Sequence, residues 1–298
     1  MAGAPVIRVL EPAAGVLAFY AGRDGSRFAA EANWVDEGAI GLGIASYALL
    51  VGAEAIVYDT GISVEWGRFV RAELERRGAR RLTVVLSHWH LDHVAGTEAF
   101  GDCEVLANER TAAHLARHRE AIEAGSLEGP PPIAPLLLPT RTFAEREALR
   151  TGSGEGAVEV ELLTLDIHSD DATVLWIPGR GLLLCGDTLE DTVTYVDEPR
   201  RLGAHLRDLE RLRRLGPRAI LPNHGDPATI AAGGYPPGLI DATEAYLRLL
   251  LAAGSDPAAA ARPLRDVLPA LPGAGALRYF EPYEEVHRHN LEAVAGRS

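Results

Sequence analysis

Short apolar runs of the length of a β-strand recur along this 298-residue chain, and most of them end in a polar cluster that begins with Asp, His or Gly. They cover residues 6–9, 16–20, 55–58, 82–86, 158–165, 173–177, 182–185 and 219–221. Between them, apolar side chains recur at helical spacing, as in residues 66–74 and 202–215. Strands and helices therefore alternate in both halves of the chain, which predicts an α/β layered fold with polar residues at the strand ends.

The charge balance and the cysteine content narrow the range of partners. Lys and Arg number 29 against 42 Asp and Glu, and the net charge of −13 argues against a surface that grips a nucleic-acid backbone. The two cysteines have no C-x-x-C spacing, which excludes a structural zinc–cysteine cluster. No basic region followed by a long apolar stretch opens the sequence, and no apolar run reaches the ~18 residues of a membrane span. We therefore expect a soluble, cytoplasmic protein with a small-molecule substrate, no nucleic-acid partner and no membrane partner, and the sequence does not indicate its oligomeric state.

The most informative segment is an apolar strand that runs directly into three His and one Asp within six residues, namely His88, His90, Asp92 and His93. Neutral imidazoles and carboxylates suit Zn²⁺ well, and Fe or Mn less specifically. If the chain turns sharply after the strand, His88 and His90 project to one side, whereas Asp92 and His93 begin the next helix and point to a neighbouring position. This arrangement serves two metal ions better than one. Asp92 also has a structural alternative, as the N-cap of that helix.

Three further candidate ligands each follow a strand-like run: His168, Asp187 and His224. A shared sheet edge would bring them together with the first cluster. One ion would then be held by His88, His90 and His168, and the other by Asp92, His93 and His224. Asp187 would bridge the two ions.

These ordered motifs resemble those of the metallo-β-lactamase-fold hydrolases over about residues 40–226. Asp59, in the sequence VYDTG, is similar to the Asp of the family's first motif, which supports the metal site from behind. The resemblance implies a four-layer αββα sandwich, in which two mixed β-sheets pack face to face with helices on both outer faces and the metals at one edge. We predict that residues 1–238 form this metallo-hydrolase domain and that residues 239–298 form a C-terminal helical extension packed on it.

The ligand set predicts the chemistry of a dinuclear zinc-dependent hydrolase. Two divalent ions can share a water whose pKa falls towards ~7, which gives a metal-bridging hydroxide that attacks a small carbonyl substrate. A thioester, a lactone or an ester is expected. Asp92 would hold or receive a proton as well as ligate, and Tyr195, eight residues after Asp187, would reach an oxyanion.

Three other functions are also compatible with the sequence. The residues from His168 onward resemble a strand of the class B β-lactamases and favour β-lactam hydrolysis, although several of those enzymes have Cys where this chain has Asp187. A phosphodiesterase or ribonuclease of the same fold is opposed by the acidic composition. An iron-loaded redox enzyme is the remaining alternative.

The Pro-rich residues 126–140 form either a lid over the site or a simple crossover loop.

Overall fold

The computed structural model describes residues 5–253 and 262–296. In this part of the chain the strands form one sheet of seven and one of five. The first sheet has the spatial order β1 to β7: Arg8–Ala13, Val16–Ala21, Ile44–Val51, Glu54–Tyr58, Arg81–Val85, Glu104–Asn108 and Arg141–Phe143. The second has the order β12-β11-β10-β9-β8, in which β8 to β12 are Arg146–Thr151, Val158–Ile167, Ser169–Ile177, Leu182–Gly186 and Ala219–Pro222.

Both sheets are mixed. Strands β1 to β4 pair antiparallel, whereas β4 to β7 are parallel to one another. In the second sheet only β11 and β12 pair in parallel. The parallel strands of each sheet end at a common edge, and this edge is where the polar clusters of the sequence emerge.

Helices cover the outer faces. The main helices are α1 to α8: Val64–Arg76, Leu91–Val94, Glu109–Ala124, Leu202–Leu215, Pro227–Ala231, Gly238–Ala253, Leu264–Val267 and Tyr283–Ala295. Side chains of α1 and α3 share an apolar cluster with one face of the first sheet. Helix α4 packs on β9 of the second sheet, and α6 and α8 pack in turn outside α4.

Side-chain alternation along β2 shows how one strand serves two layers. Leu17 and Phe19 belong to the cluster under α1 and α3, whereas Val16, Ala18 and Tyr20 belong to the cluster between the sheets. Every residue of β2 is buried. Both faces of the strand are apolar, as expected for a strand that is covered on both sides.

Three buried tyrosines fasten the first sheet to the second. The hydroxyls of Tyr20, Tyr47 and Tyr58 donate to the backbone oxygens of Gly225 (2.8 Å), Pro222 (2.5 Å) and Thr173 (2.6 Å). Two of these acceptors follow or end β12, next to the strand-end residues of the site. These hydrogen bonds therefore fix the position of one sheet relative to the other at the edge where the site lies.

The sequence-based prediction of the fold class is confirmed, because two mixed sheets flanked by helices are present. Several strands were not predicted from apolar runs, notably β3, β6 and β8. In β8 exposed positions alternate with less exposed ones and three of the six residues are charged, so no apolar run marks it. The domain boundary at residue 238 stays a prediction, and residues 254–261 and 297–298 of the predicted extension lie outside the described residues. Within the described ranges, no helix has the length and apolarity to cross a bilayer.

Candidate metal centre

All the sequence-predicted ligands lie just beyond strand ends at one edge of the two sheets. His88 and His90 follow β5, His168 occupies the turn between β9 and β10, and Asp187 and His224 follow β11 and β12. Helix α2 begins at Leu91 with His90 as its N-cap residue, so the alternative that Asp92 is the N-cap is wrong. Asp92 lies in the first turn instead, where its carboxylate faces His224.

The first donor group consists of His88, His90 and His168, whose ligand atoms lie within 4.8 Å of one another. His168 Nε2 and His90 Nδ1 are 3.0 Å apart. His88 Nε2 is buried and has no hydrogen-bond partner among the described residues. A buried imidazole nitrogen without a partner is costly, and a metal ion at this position would satisfy it.

The second donor group consists of Asp92, His93, Asp187 and His224. His93 Nε2 lies 3.0 Å from Asp187 Oδ2 and 3.4 Å from Asp92 Oδ1. His224 Nε2 lies 3.1 Å from Asp92 Oδ2 and 3.4 Å from Asp187 Oδ2. Each donor nitrogen therefore faces carboxylate oxygens across a short gap.

Asp187 stands between the two groups. Its Oδ2 is 3.7 Å from His88 Nε2 and 3.9 Å from His168 Nε2, so it approaches the first group as well as the second. Its Oδ1 is buried and has no hydrogen-bond partner among the described residues. This is the position that a bridging carboxylate needs. The structure brings all the predicted ligands together, while their binding of metal stays a prediction.

Four of the five imidazoles are hydrogen-bonded through the nitrogen that points away from their donor group. Two partners are backbone carbonyls: His168 Nδ1 donates to Tyr195 O (3.0 Å) and His224 Nδ1 donates to Gly43 O (2.8 Å). Because a carbonyl can only accept, these bonds place the proton on Nδ1 and leave Nε2 free as a ligand. The other two hydrogen-bond partners are side chains, namely Ser87 Oγ for His88 (2.9 Å) and Asp59 for His93 (2.9 Å). His90 Nε2 lies 3.8 Å from Asp197 Oδ2, beyond hydrogen-bond distance.

Asp59 supports the site from behind, where the first-motif resemblance places it. Its Oδ1 accepts the backbone N–H of Ser87 (2.6 Å), and its Oδ2 contacts His93 Nδ1 (2.9 Å) and accepts from Asn223 Nδ2 (2.6 Å). Asp59 and His168 adopt left-handed backbone conformations, with φ of 66° and 73°. Such angles are uncommon for residues other than glycine and cluster at functional sites.

Burial and neighbouring charges shift the protonation equilibria of the site. Burial lowers the pKa of His88 well below its ordinary value, with His93 and His90 acting in the same direction. Burial and His90 together lower the pKa of His168 to about 4. Both imidazoles are therefore neutral at physiological pH, which is the form that coordinates a metal. Burial and Asp187 raise the pKa of Glu190, a residue that the sequence analysis missed, to about 8.

A cavity of about 220 Å³ opens onto the donors. Apart from the donors themselves, its lining includes the carboxylates Glu128, Glu190 and Asp197 and the apolar or aromatic side chains Trp34, Leu42 and Tyr195. Tyr195 thus lines the cavity, but its hydroxyl is 2.9 Å from His289 Nε2, and its catalytic role stays a prediction. A larger cleft of about 550 Å³ lies at the opposite end of β4 to β6, and no donor lines it.

Sequence reasoning missed Glu128, Glu190, Asp197 and Asn223. Asn223 precedes His224, so its position at a strand end was a usable signal. The other three lie on irregular loops, where no periodicity marks a functional side chain. His114 and His118 do not join the donors; they stack on Trp89, and His114 Nε2 is 2.9 Å from Asp170 Oδ1.

Comparison with known proteins identifies the family. A family model of the metallo-β-lactamase superfamily matches residues 40–224, well over half of the chain. The chain belongs to the metallo-β-lactamase superfamily. The superfamily implies a divalent metal site, and the donors fit it, since His88 Nε2 and Asp187 Oδ1 are both buried within the donor cluster and have no hydrogen-bond partner among the described residues.

The curated relatives are distant in sequence from this chain. The chain is 26% identical over 198 residues to "Beta-lactamase-like protein 2 homolog" of Drosophila melanogaster, covering 62% of this chain and 59% of that protein. It is 26% identical over 222 residues to "Linear primary-alkylsulfatase" of a Pseudomonas species, covering 58% of this chain and 40% of that protein. The matched region therefore spans less than two thirds of either curated relative.

Solved structures support the fold. A metallo-β-lactamase from Pontibacter korlensis superimposes with a TM-score of 0.56 at 17% identity, covering 79% of this chain and 99% of that one. The DIM-1 metallo-β-lactamase superimposes with a TM-score of 0.55 at 16% identity, covering 74% and 91%. At such identities the likeness concerns the fold alone.

Proposed function

We propose that this member of the metallo-β-lactamase superfamily is a dinuclear zinc hydrolase that cleaves a small, uncharged carbonyl substrate, namely a thioester, a lactone or an ester. One observation carries the proposal: the buried carboxylate of Asp187 belongs to one donor group and lies 3.7 Å from His88 Nε2 of the other, and both groups open onto a cavity whose remaining charged wall is acidic. The donor set is also compatible with Fe or Mn.

The residues that would hold the ions are those of the two donor groups, with Asp187 common to both. Bound divalent ions at such a centre lower the pKa of a water molecule and polarise the substrate carbonyl. The nucleophile therefore need not be a side chain. Cys185 is not a candidate nucleophile, because burial raises the pKa of its thiol and keeps it in the unreactive protonated form.

The protonation states of the chain's own residues around that centre follow from their surroundings. Burial raises the pKa of Asp92, but the imidazoles of His93 and His224 outweigh it and lower the pKa below its usual value. The carboxylate of Asp92 is therefore ionised and available as a ligand, and its low pKa makes it a weak proton acceptor. Burial, helped by Asp197, raises the pKa of Tyr195 to about 12, so its phenol remains protonated and able to donate a hydrogen bond.

Away from the metal ligands, the charged side chains of the cavity wall are acidic, which disfavours an anionic group placed against them. Glu128 and Asp197 line the cavity, and a phosphodiester or sulfate ester would bring further negative charge beside them, whereas Glu190, whose pKa is raised to about 8, is largely protonated near neutral pH. The alkylsulfatase relationship is therefore a weaker guide to the substrate than the cavity is. Penicillins and cephalosporins also carry a carboxylate, which meets the same wall. An uncharged ester, thioester or lactone avoids this repulsion.

A substrate panel tests the proposal. It comprises p-nitrophenyl esters, acyl thioesters, homoserine lactones, a chromogenic cephalosporin and bis-p-nitrophenyl phosphate, assayed with the zinc-loaded wild type, His90→Ala and Asp187→Ala. We expect turnover of an uncharged carbonyl substrate, and loss of bound metal with at least ~100-fold lower kcat/KM in both variants. The matched controls are His118→Ala and Asp102→Ala, which remove a His and an Asp outside the centre.

Three results would contradict the proposal. Full activity with normal metal content in either site variant would exclude the ligand assignment. Preferential cleavage of the cephalosporin or of the phosphodiester would replace the substrate class. Iron in protein purified without added metal, together with oxygen-dependent turnover, would replace hydrolysis with redox chemistry.

A further inference from the structure

A histidine outside the donor groups, His114 of helix α3, contacts both chain segments that supply the first donor group. Its ring stacks on Trp89, which separates two of the donors in the sequence, and its Nε2 lies 2.9 Å from Asp170 Oδ1, two residues after the third donor, His168. We propose that His114 is a positioning residue that holds these two segments in the arrangement that an ion in the first donor group needs. This inference rests on the proposed function, because it requires metal at the centre.

On one side of this link, the indole of Trp89 packs against two imidazoles of α3. Its ring lies 5.3 Å from the ring of His114 at an interplanar angle of 21°, and 4.9 Å from the ring of His118 at 22°. Stacked aromatic pairs contribute beyond the area that they bury. Trp89 lies between His88 and His90 in the chain, so its packing on α3 restrains the backbone from which both donors project.

His90 depends on this packing more than the other donor imidazoles do. Its Nδ1 faces the first donor group, 3.0 Å from His168 Nε2, whereas its outward Nε2 lies 3.8 Å from Asp197 Oδ2, beyond hydrogen-bond distance. The other four imidazoles are hydrogen-bonded through their outward nitrogens. The orientation of His90 therefore has to come from packing, and the ring of Trp89 lies 5.2 Å from its own ring.

On the other side of the link, α3 holds the segment that follows His168. Thr111 Oγ1 donates to Asp171 Oδ2 (2.8 Å), and His114 adds its contact with the carboxylate of Asp170. His168 itself has a φ of 73°, a left-handed conformation that persists only where surrounding contacts enforce it. The contacts of α3 with residues 170 and 171 therefore support the turn from which this donor projects.

His114 and His118 form a matched pair for a test. Both are partly exposed and both stack on Trp89, but among the described contacts only His114 reaches Asp170. A role limited to the stability of α3 predicts similar effects for the two substitutions. A link between the two donor segments predicts an effect for His114 and little for His118.

The test measures zinc affinity and does not depend on turnover. Competition with a chelator of known affinity gives the successive zinc affinities of the full chain. We expect His114→Ala to weaken one of the two affinities about tenfold and to leave the other unchanged, because only the first donor group loses its support. His118→Ala should bind zinc like the wild type. The Tm of metal-free His114→Ala should match that of the metal-free wild type, which shows that the fold is intact.

Two further variants identify the contact that acts. Asp170→Ala should reproduce the effect of His114→Ala, and the double variant should bind zinc no more weakly than either single variant, because both substitutions remove the same link. His114→Gln retains an Nε2 donor for Asp170 and should bind the affected ion more tightly than His114→Ala does. Additive losses in the double variant would refute the link.

The remaining outcomes separate the inference from the proposed function. Unchanged zinc affinities in His114→Ala, equal losses in both affinities, or equal losses in His114→Ala and His118→Ala would overturn the inference. A wild type that binds zinc but cleaves none of the panel substrates refutes the hydrolase, and the zinc affinities of the variants still decide the role of His114. If the wild type binds a single ion, the dinuclear centre is refuted, and a loss of that ion's affinity in His114→Ala but not in His118→Ala still supports the link.

Discussion

At the scale of single residues, Asp59 shows how a side chain that faces away from the substrate cavity can determine the centre. Its carboxylate contacts Ser87 N, His93 Nδ1 and Asn223 Nδ2, so it joins the segments that follow β4, β5 and β12. The contact with His93 fixes the orientation of the ring and directs Nε2 towards the donor group. Loss of such a partner typically lowers metal affinity or activity by ~10–100-fold.

Asp59→Asn is the most informative single substitution behind the centre. Asn tolerates the left-handed backbone at this position, where φ is 66°, but its amide group lacks the charge that holds the Nδ1 proton of His93. We expect metal affinity to fall by ~10–100-fold, measured by competition with a chelator of known affinity. Asp102→Asn, which removes a surface carboxylate paired with Arg71, is the control and should retain wild-type affinity. Equal affinities in wild type and Asp59→Asn would show that Asp59 is only a turn residue.

The residues that sequence reasoning found and missed differ in one physical respect. His88, His90 and Asp187 were predictable because each stands directly after an apolar run, and parallel strand ends meet at one edge. Asp197 and Glu128 reach the cavity only because irregular segments fold back over it. Their positions depend on contacts with distant parts of the chain, and such contacts leave no spacing in the sequence.

At the scale of elements, the C-terminal helix α8 holds the loop that carries part of the cavity wall. Asn290 accepts from Val196 N (2.9 Å) and donates to Thr194 O (3.0 Å), and it is fully buried. At the start of the same helix, the hydroxyl of Tyr283 donates to Glu190 Oε2 (3.0 Å). This helix lies in the C-terminal helical extension that the sequence predicts over residues 239–298, for which no functional role was predicted. Its amphipathic pattern predicts burial but does not identify the loop that it supports.

Asn290→Ala should therefore loosen this loop. The substitution leaves the Val196 N–H and the Thr194 carbonyl buried without partners, which costs about 2–3 kcal/mol of unfolding free energy. Urea unfolding measures this loss, and amide hydrogen exchange should accelerate at Val196 more than in the strands. Arg288→Ala on the same helix is the control, because its side chain is exposed and pairs with Glu285 and Glu292 of its own helix. Unchanged exchange at Val196 in Asn290→Ala would show that the helix does not hold the loop.

At the scale of the whole molecule, the centre joins the two sheets. His88, His90, Asp92 and His93 follow strands of the first sheet, whereas His168, Asp187 and His224 follow strands of the second. The three tyrosine hydrogen bonds between the sheets lie near the same edge. Segments that are far apart in the sequence therefore contact one another there, through these hydrogen bonds and through the metal-donor side chains. Ions bound by both donor groups would link the sheets across this edge.

Removal of metal should consequently destabilise the entire fold and not only abolish activity. A ligand present at about 1,000 times its Kd stabilises the native state by ~4 kcal/mol, and 1 kcal/mol corresponds to about 2–4 °C in a protein of comparable size. We expect dipicolinate to lower the Tm of the zinc-loaded wild type by roughly 10 °C in differential scanning calorimetry, and added zinc to restore it. Asp187→Ala, which lacks the carboxylate between the two groups, should show a much smaller response because it binds less metal. If the Tm of the wild type were the same with and without chelator, the donors would not connect the sheets through metal, and the hydrogen bonds of Tyr20, Tyr47 and Tyr58 would be sufficient to hold them together.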